Sequence, residues 1–344
     1  MMMRQVWVYK NIKEMFLFNG ALFLLGDDKS LSGIKGADPY ARVDLSNYGG
    51  KVNDRHGILQ FYYGKTLFRI LEEDLSIEEL SGFDAEFAAK VGNKYYCEDR
   101  IDRKTHHYRI IEDNKTVFER TSENWLRIIN GQFYWQERLK SYGIAKIDLV
   151  TGQDIWSYDI REIGKYYDTA DEKWKEGSIL ANTIVSKNGN LIFFGSDSVE
   201  GSGNEARQYI ALNEKTGIKQ WDLRNIKYGS SVIEFYGDDI ISMHDNRVLV
   251  IDSVTGKVKG LVDLSERLGK GIHVYNSFRV IKNKLYFCET RMEKAVGVIN
   301  LDNFELESLF RVNTAAFQIN TPLANDEYMF VKDSDSAIHV YELG

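Results

Sequence analysis

Ala211-Leu212-Asn213-Glu214-Lys215-Thr216-Gly217-Ile218-Lys219-Gln220-Trp221 reads as a strand, a tight turn and a second strand that ends on tryptophan. Gly217 supplies the positive φ that a short hairpin needs, and the flanking apolar residues fit a half-buried sheet. The unit recurs. Ile147-Asp148-Leu149-Val150-Thr151-Gly152-Gln153-Asp154-Ile155-Trp156 is a second copy, and Val250-Ile251-Asp252-Ser253-Val254-Thr255-Gly256-Lys257-Val258 is a third, with Gly260 where tryptophan would fall. Repeats on this scale indicate a solenoid, a propeller or an array.

An inner hairpin should precede each outer one. Its signal is an alternating strand, a Gly/Asn/Asp pair and an apolar strand. The signal occurs eight times: at Asn19-Gly20, His56-Gly57, Gly92-Asn93, Asn130-Gly131, Asn188-Gly189, Gly237-Asp238, Asn283 and Asn325-Asp326. Third strands follow, among them Ala41–Leu45, Thr66–Leu71, Tyr108–Ile111 and Val248–Ile251. The turns lie about one four-stranded unit apart, so the sequence predicts eight blades. Ser46–His56 is short for a fourth strand plus a new first strand; if Met15–Leu45 is a distorted half-blade, the count falls to seven. The last unit has three strands and Gln5–Lys10 is an orphan. Pairing Val6–Tyr9 with Ala337–Tyr341 would complete that unit and cover its open edge.

The pattern Ala211-x-Asn213-x-x-Thr216-Gly217-x-x-x-Trp221 resembles the tryptophan-docking repeat of the pyrroloquinoline-quinone-like β-propellers, the quinoprotein dehydrogenase-like group. Asp148, Thr151, Gly152 and Trp156 match the same positions, as do Asp252, Thr255 and Gly256. The resemblance implies an all-β, closed propeller of four-stranded antiparallel blades. It implies that Trp156 and Trp221 pack between neighbouring blades and that Asp/Asn with Thr-Gly set the turn. The quinone of the dehydrogenases is not expected, because their adjacent-cysteine disulfide has no counterpart: Cys97 and Cys288 stand far apart.

Composition agrees with one soluble β-rich domain spanning residues 1–344. The 344 residues are 43% hydrophobic, enough for a large core, and 20 Tyr, 18 Phe and 6 Trp suit strands. A net charge of −7 argues against nucleic-acid binding, which needs a basic face. Two lone cysteines without a CxxC read as reduced core residues. Met15–Leu25 is apolar but broken at Asn19-Gly20, so neither a signal segment nor a membrane span is expected, and the reading is a cytoplasmic protein.

Recognisable chemistry is sparse. Gly201-Ser202-Gly203-Asn204-Glu205-Ala206 matches GxGxxA by letter, but a strand follows it where a dinucleotide site needs a helix. Asp28-x-Ser30-x-Ser32-Gly33 starts like a calcium loop and fails at Pro39. Asp333-Ser334-Asp335-Ser336 reads as a solvated turn, and His106-His107 as a solvated charged loop. Acidic pairs such as Glu72-Glu73 and Asp238-Asp239 are too numerous for one to be chosen. No cofactor and no metal are expected.

One insertion stands out. Arg161–Ile179 stretches one blade interval and places Tyr166, Tyr167 and Trp174 among Arg161, Lys165, Lys173 and Lys175; Asp168–Glu176 reads as a short helix. Aromatic rings among mixed charges resemble interface composition. The expectation is therefore a non-catalytic scaffold that binds a protein partner through rim loops, with Tyr166, Tyr167, Trp174, Arg161 and Lys165 as candidate contacts. The alternative is a hydrolase or lyase that takes a carbohydrate or peptide in an axial funnel.

Overall fold

The computed structural model describes residues 3–35, 38–48, 52–53, 58–136, 143–159, 165–168, 173–176, 178–196, 208–224, 226 and 228–343. Nearly every element is a strand; among the described residues Ser265–Leu268 is the one α-helical turn. Seven antiparallel sheets have four strands each. An eighth, Gln60–Tyr63, Thr66–Ile70 and Ile77–Gly82, gains its first strand through a bridge from Asn53 to Gln60. These are the eight blades, numbered here in chain order from Ile12. Residues 54–57, with the expected His56-Gly57 turn, lie outside the described residues. The chain forms two compact units: residues 1–97 with 265–344, and residues 98–264.

The hairpin chemistry follows the sequence. Asn19-Gly20, Asn130-Gly131 and Asn188-Gly189 all have φ between 47° and 80°, the doubly left-handed turn that matches strand twist. Both faces of the middle strands are buried. In blade 5, Leu191, Phe193, Ile210 and Leu212 pack toward blade 4, whereas Ile192, Phe194, Tyr209 and Ala211 pack toward blade 6. Side chains alternate across a strand, so two buried faces require an unbroken apolar run.

The tryptophans dock as expected. Trp156 and Trp221 are each 8% exposed. Trp156 Nε1 donates to the Glu214 carbonyl (3.2 Å) and Trp221 Nε1 to the Ser253 carbonyl (3.1 Å), each in the next blade's turn. A Cβ at Gly217 would lie 2.5 Å from the Trp156 ring, and one at Gly256 would lie 2.6 Å from Trp221. Each glycine is thus demanded twice, by its φ of 69° and by the ring pressed on it. The three turns share one wiring. Asp148, Asn213 and Asp252 each accept two backbone N–H bonds on Oδ1, and each carbonyl accepts the glycine N–H at 2.8 Å.

A feature invisible in the letters unites the outer hairpins. In blades 1, 3, 4, 5, 6 and 7 the fourth strand carries one extra residue at the same place: Tyr40, Val117, Ile155, Gln220, Lys259 and Glu307. The next residue is Ala41, Phe118, Trp156, Trp221, Gly260 or Ser308. Such a bulge re-aims the side chain that follows it. Phe118 takes the tryptophan position and lies 3.9 Å from a Cβ built on Gly152.

The N-terminal strand completes blade 8. Arg4–Tyr9 pairs antiparallel with Ile338–Glu342, and its register also skips one residue, Val6, just before Trp7. Trp7 therefore holds the tryptophan position of a hairpin split between the two ends of the chain. It packs with Leu22, Leu24 and Ile34 of blade 1 and meets Tyr328 edge-on at 5.6 Å.

Three expectations are corrected. Ala41–Leu45 is not a third strand: Ser30–Lys35 is, and Asp38–Asp44 is the fourth. That removes the apparent crowding at Ser46–His56 and with it the half-blade reading. His106 and His107 lie in the strand His106–Glu112, not in a loop. They pair with different carboxylates, His106 Nδ1 with Glu98 (2.6 Å) and His107 Nε2 with Glu119 (2.9 Å), because adjacent strand residues face opposite ways. Asp168 and Lys173–Glu176, expected in a short helix, are strand residues. Lys165–Asp168 and Lys173–Glu176 form a hairpin, in keeping with the strand preference of Tyr and Trp.

Candidate functional surfaces and a polar cavity

The hairpin between blades 4 and 5 is a two-stranded sheet of its own, hydrogen-bonded to no blade strand among the described residues. Its register sets Tyr167 opposite Trp174, Tyr166 opposite Lys175 and Lys165 opposite Glu176. The side chains of these residues, and Arg161 altogether, lie outside the described residues, as does the 201–206 stretch.

Beside the Asn213–Gly217 turn, blades 4, 5 and 6 border a cavity of about 730 Å³. Glu214 is one of its lining residues. Tyr134 Oη donates to one carboxylate oxygen and Ser186 Oγ to the other, both at 2.8 Å. Lys146 Nζ donates to the Glu214 carbonyl at 3.3 Å. Burial and the bond to Glu214 push the Tyr134 hydroxyl far above its ordinary range, so it stays a donor. The surrounding amides mostly join blades: Asn188 bonds Asp238 (2.9 Å) and Asn190 the Ser253 carbonyl (3.2 Å). The cavity is a polar seam between blades whose groups already satisfy one another.

Other chemistry-bearing residues are tied in the same way. Asp28 accepts from Ser30 and is paired with Arg42 at 2.6 Å. Glu72 accepts from Asn19 at 2.9 Å, and Asp239 pairs with Lys259 at 2.5 Å. Asp333, expected in a solvated turn, is instead buried, and its Oδ2 accepts from Thr314 (2.7 Å) and from His339 Nε2 (2.9 Å). Burial opposes ionisation there, but these bonds and one from the Ala337 N–H outweigh it and hold the carboxyl below its usual range. The three residue types match a catalytic triad in composition only: the hydroxyl bonds the carboxylate rather than the imidazole, whereas a triad places the imidazole next to the hydroxyl. Among the described residues, no three or more His, Cys, Asp or Glu are grouped to hold a metal ion. Cys97 and Cys288 are buried thiols not joined to each other, and burial pushes Cys288 up to about 12.

The loops of blades 7 and 8 carry a feature that a reading of the sequence misses. Met292 is 83% exposed and Phe317 is 71% exposed, and Arg291 stacks over the Phe317 ring at 5.8 Å. A signal exists, as an apolar residue between two charges in Arg291-Met292-Glu293, but single exposed apolar residues are ordinary; these two stand on loops that hydrogen bonds tie together.

No known family profile matches the chain, and no curated protein sequence does. Solved structures do. The C-terminal WD40 domain of Sif2 is similar with a TM-score of 0.65 at 12% identity, covering 99% of this chain and 98% of that one. BamB from Moraxella catarrhalis gives 0.56 at 13% identity over 99% and 100% of the two chains. Sqt1 from Saccharomyces cerevisiae gives 0.56 at 10% over 99% of each. The chain has a β-propeller fold, with eight blades. At such low identity the likeness concerns the fold and nothing beyond it.

Proposed function

We propose that this propeller belongs with the pyrroloquinoline-quinone-like repeats, resides in the cytoplasm and acts as a non-catalytic scaffold for a protein partner. The observation that carries the reading is the hairpin Lys165–Asp168/Lys173–Glu176, an element that adds to no blade among the described residues. A rigid sheet scaffold with one appended aromatic hairpin divides the labour between stability and binding. Tyr166, Tyr167 and Trp174 would act as anchors, because large rings lose few rotamers on burial, and Arg161 and Lys165 would form the polar edge. The bonded state of Asp28, Glu72, Asp239 and Asp333 supports the same reading over a hydrolase or lyase.

The test replaces residues 161–177 by a short Gly/Ser linker. Cross-linking and mass spectrometry of the intact and altered chains in the native host should show a partner held by the first and lost from the second, at unchanged melting temperature. Equal capture of the same proteins by both chains would overturn the reading.

A further inference from the structure

The exposed residues Met292 and Phe317 stand on two loops of the unit that contains both chain ends. The first, 289–294, joins Lys284–Cys288 to Ala295–Asn300. The second, 312–322, joins blade 7 to Leu323–Ala324 of blade 8. Neither loop is loosely held. The buried carboxylate of Glu289 accepts four backbone N–H bonds, from Arg291 (3.0 Å) and Met292 (3.1 Å) on one oxygen and from Glu293 (2.6 Å) and Lys294 (2.9 Å) on the other. Lys294 Nζ then crosses to the second loop and donates to the carbonyls of Thr314 and Ala316, both at 3.0 Å. The Ile319 N–H returns the link to the Thr290 carbonyl at 2.8 Å.

Two large apolar side chains are thus held out in water by a fixed frame. They contribute little to folding, and a partner that covers them incurs no loop-ordering cost, which is the condition for an efficient anchor. Methionine, phenylalanine and arginine are also the types enriched where interfaces bury most. A third loop adjoins the patch: a Cβ at Gly271 would sit 3.3 Å from Glu293 Oε1, and this loop carries Tyr275, half-exposed.

Charge selects the partner. Arg291 and Lys270 have no carboxylate partner among the described residues, while Glu293 is engaged by Arg311 and Glu289 by backbone. In a chain of net charge −7 this is a local cationic and apolar surface. We propose that Met292, Phe317 and Arg291 dock an acidic amphipathic segment of a partner protein, with its apolar side chains on the Met/Phe pair and its carboxylates on Arg291 and Lys270. The proposal rests on the scaffold reading and adds a contact surface separate from the hairpin.

The probe is a labelled synthetic peptide of about 15 residues that alternates Leu/Phe with Asp/Glu, followed by anisotropy with the full chain. Its counterpart has Lys in place of every acid, and phosphatidylcholine/phosphatidylglycerol vesicles serve as a third probe. The acidic peptide should bind at least about tenfold tighter than the basic one. The double variant Met292→Ser/Phe317→Ser should lose about tenfold or more at unchanged melting temperature, and Arg291→Glu should reverse the charge preference. Absence of saturable acidic-peptide binding up to about 1 mM overturns the proposal, as does a charge preference indifferent to Arg291→Glu. Vesicle binding abolished by the double variant would assign the surface to lipid instead. The chain lacking the hairpin must bind the peptide as tightly as the intact chain; weakening there would place the site on the hairpin and overturn this proposal alone.

Discussion

Removing the indole of Trp221 tests the docking geometry most directly when combined with a methyl at Gly256. Trp221→Ala empties a site that is 8% exposed and removes one of the two donors to the Ser253 carbonyl, leaving that of Asn190. Large core truncations of this kind cost about 3–5 kcal/mol. Gly256→Ala acts from the other side of the contact. Its φ of 69° puts any L-residue in the left-handed region, at about 1–2 kcal/mol. Its new Cβ would also meet the Trp221 ring at 2.6 Å, and overpacking of that kind costs about 1–3 kcal/mol more. Gly189→Ala is the control, with φ of 74° and nothing within 4 Å of the added methyl, so it should show the backbone cost alone.

The two changes should therefore couple. In the Trp221→Ala background the steric part vanishes, and Gly256→Ala should cost no more than Gly189→Ala. The cycle would close with a coupling of about 1–3 kcal/mol. Urea titrations followed by far-UV circular dichroism supply all four corners, because that signal does not depend on the deleted indole. If Gly256→Ala costs the same in both backgrounds, the ring does not rest on the turn and the repeat alignment is wrong.

Deleting residues 1–9 should lower the melting temperature sharply and promote self-association, since Ile338–Glu342 becomes an open edge and Trp7 leaves its packing against blade 1; an unchanged melting curve would refute the pairing. Acid should also act at the turns: hydrogen bonds from the Thr255 backbone and hydroxyl depress Asp252 to about 2. The folded value lies below the unfolded one, so this stabilisation is fully present above about pH 4 and is lost as pH falls toward 2; Asp252→Asn should flatten that limb of the stability profile, and an unaltered limb would remove Asp252 as its source.

The hairpin turns are the legible part of this sequence because their chemistry is local. Asn19-Gly20 and Asn188-Gly189 need only their own φ angles, and Thr216-Gly217 with Asn213 forms its hydrogen bonds within four residues. The fourth strand of blade 1 is hidden because the bulge residue Tyr40, next to Pro39, masks the alternation, so Ala41–Leu45 looks like a separate third strand. The insertion misleads for a related reason. Asp168–Glu176 is rich in charged helix formers, but Tyr167 is the register partner of Trp174, and pairing between positions seven apart carries no periodic signature.

Trp7 shows most clearly what a linear reading cannot reach. Its neighbours in the chain, Val6 and Val8, carry no Thr-Gly turn and no Asp/Asn, because the third strand of its hairpin is Ile338–Glu342 at the other end of the sequence. The repeat is recognised by the skipped residue Val6, a property of register and not of letters. The same holds for the candidate surfaces. Met292 and Phe317 stand on loops that Lys294 and the Ile319–Thr290 backbone bond tie together. A fold that repeats a turn announces itself in sequence because each copy must solve the same backbone problem. A binding surface on that fold is assembled once, from loops whose proximity is a consequence of the blades, so its residues carry no repeat to read.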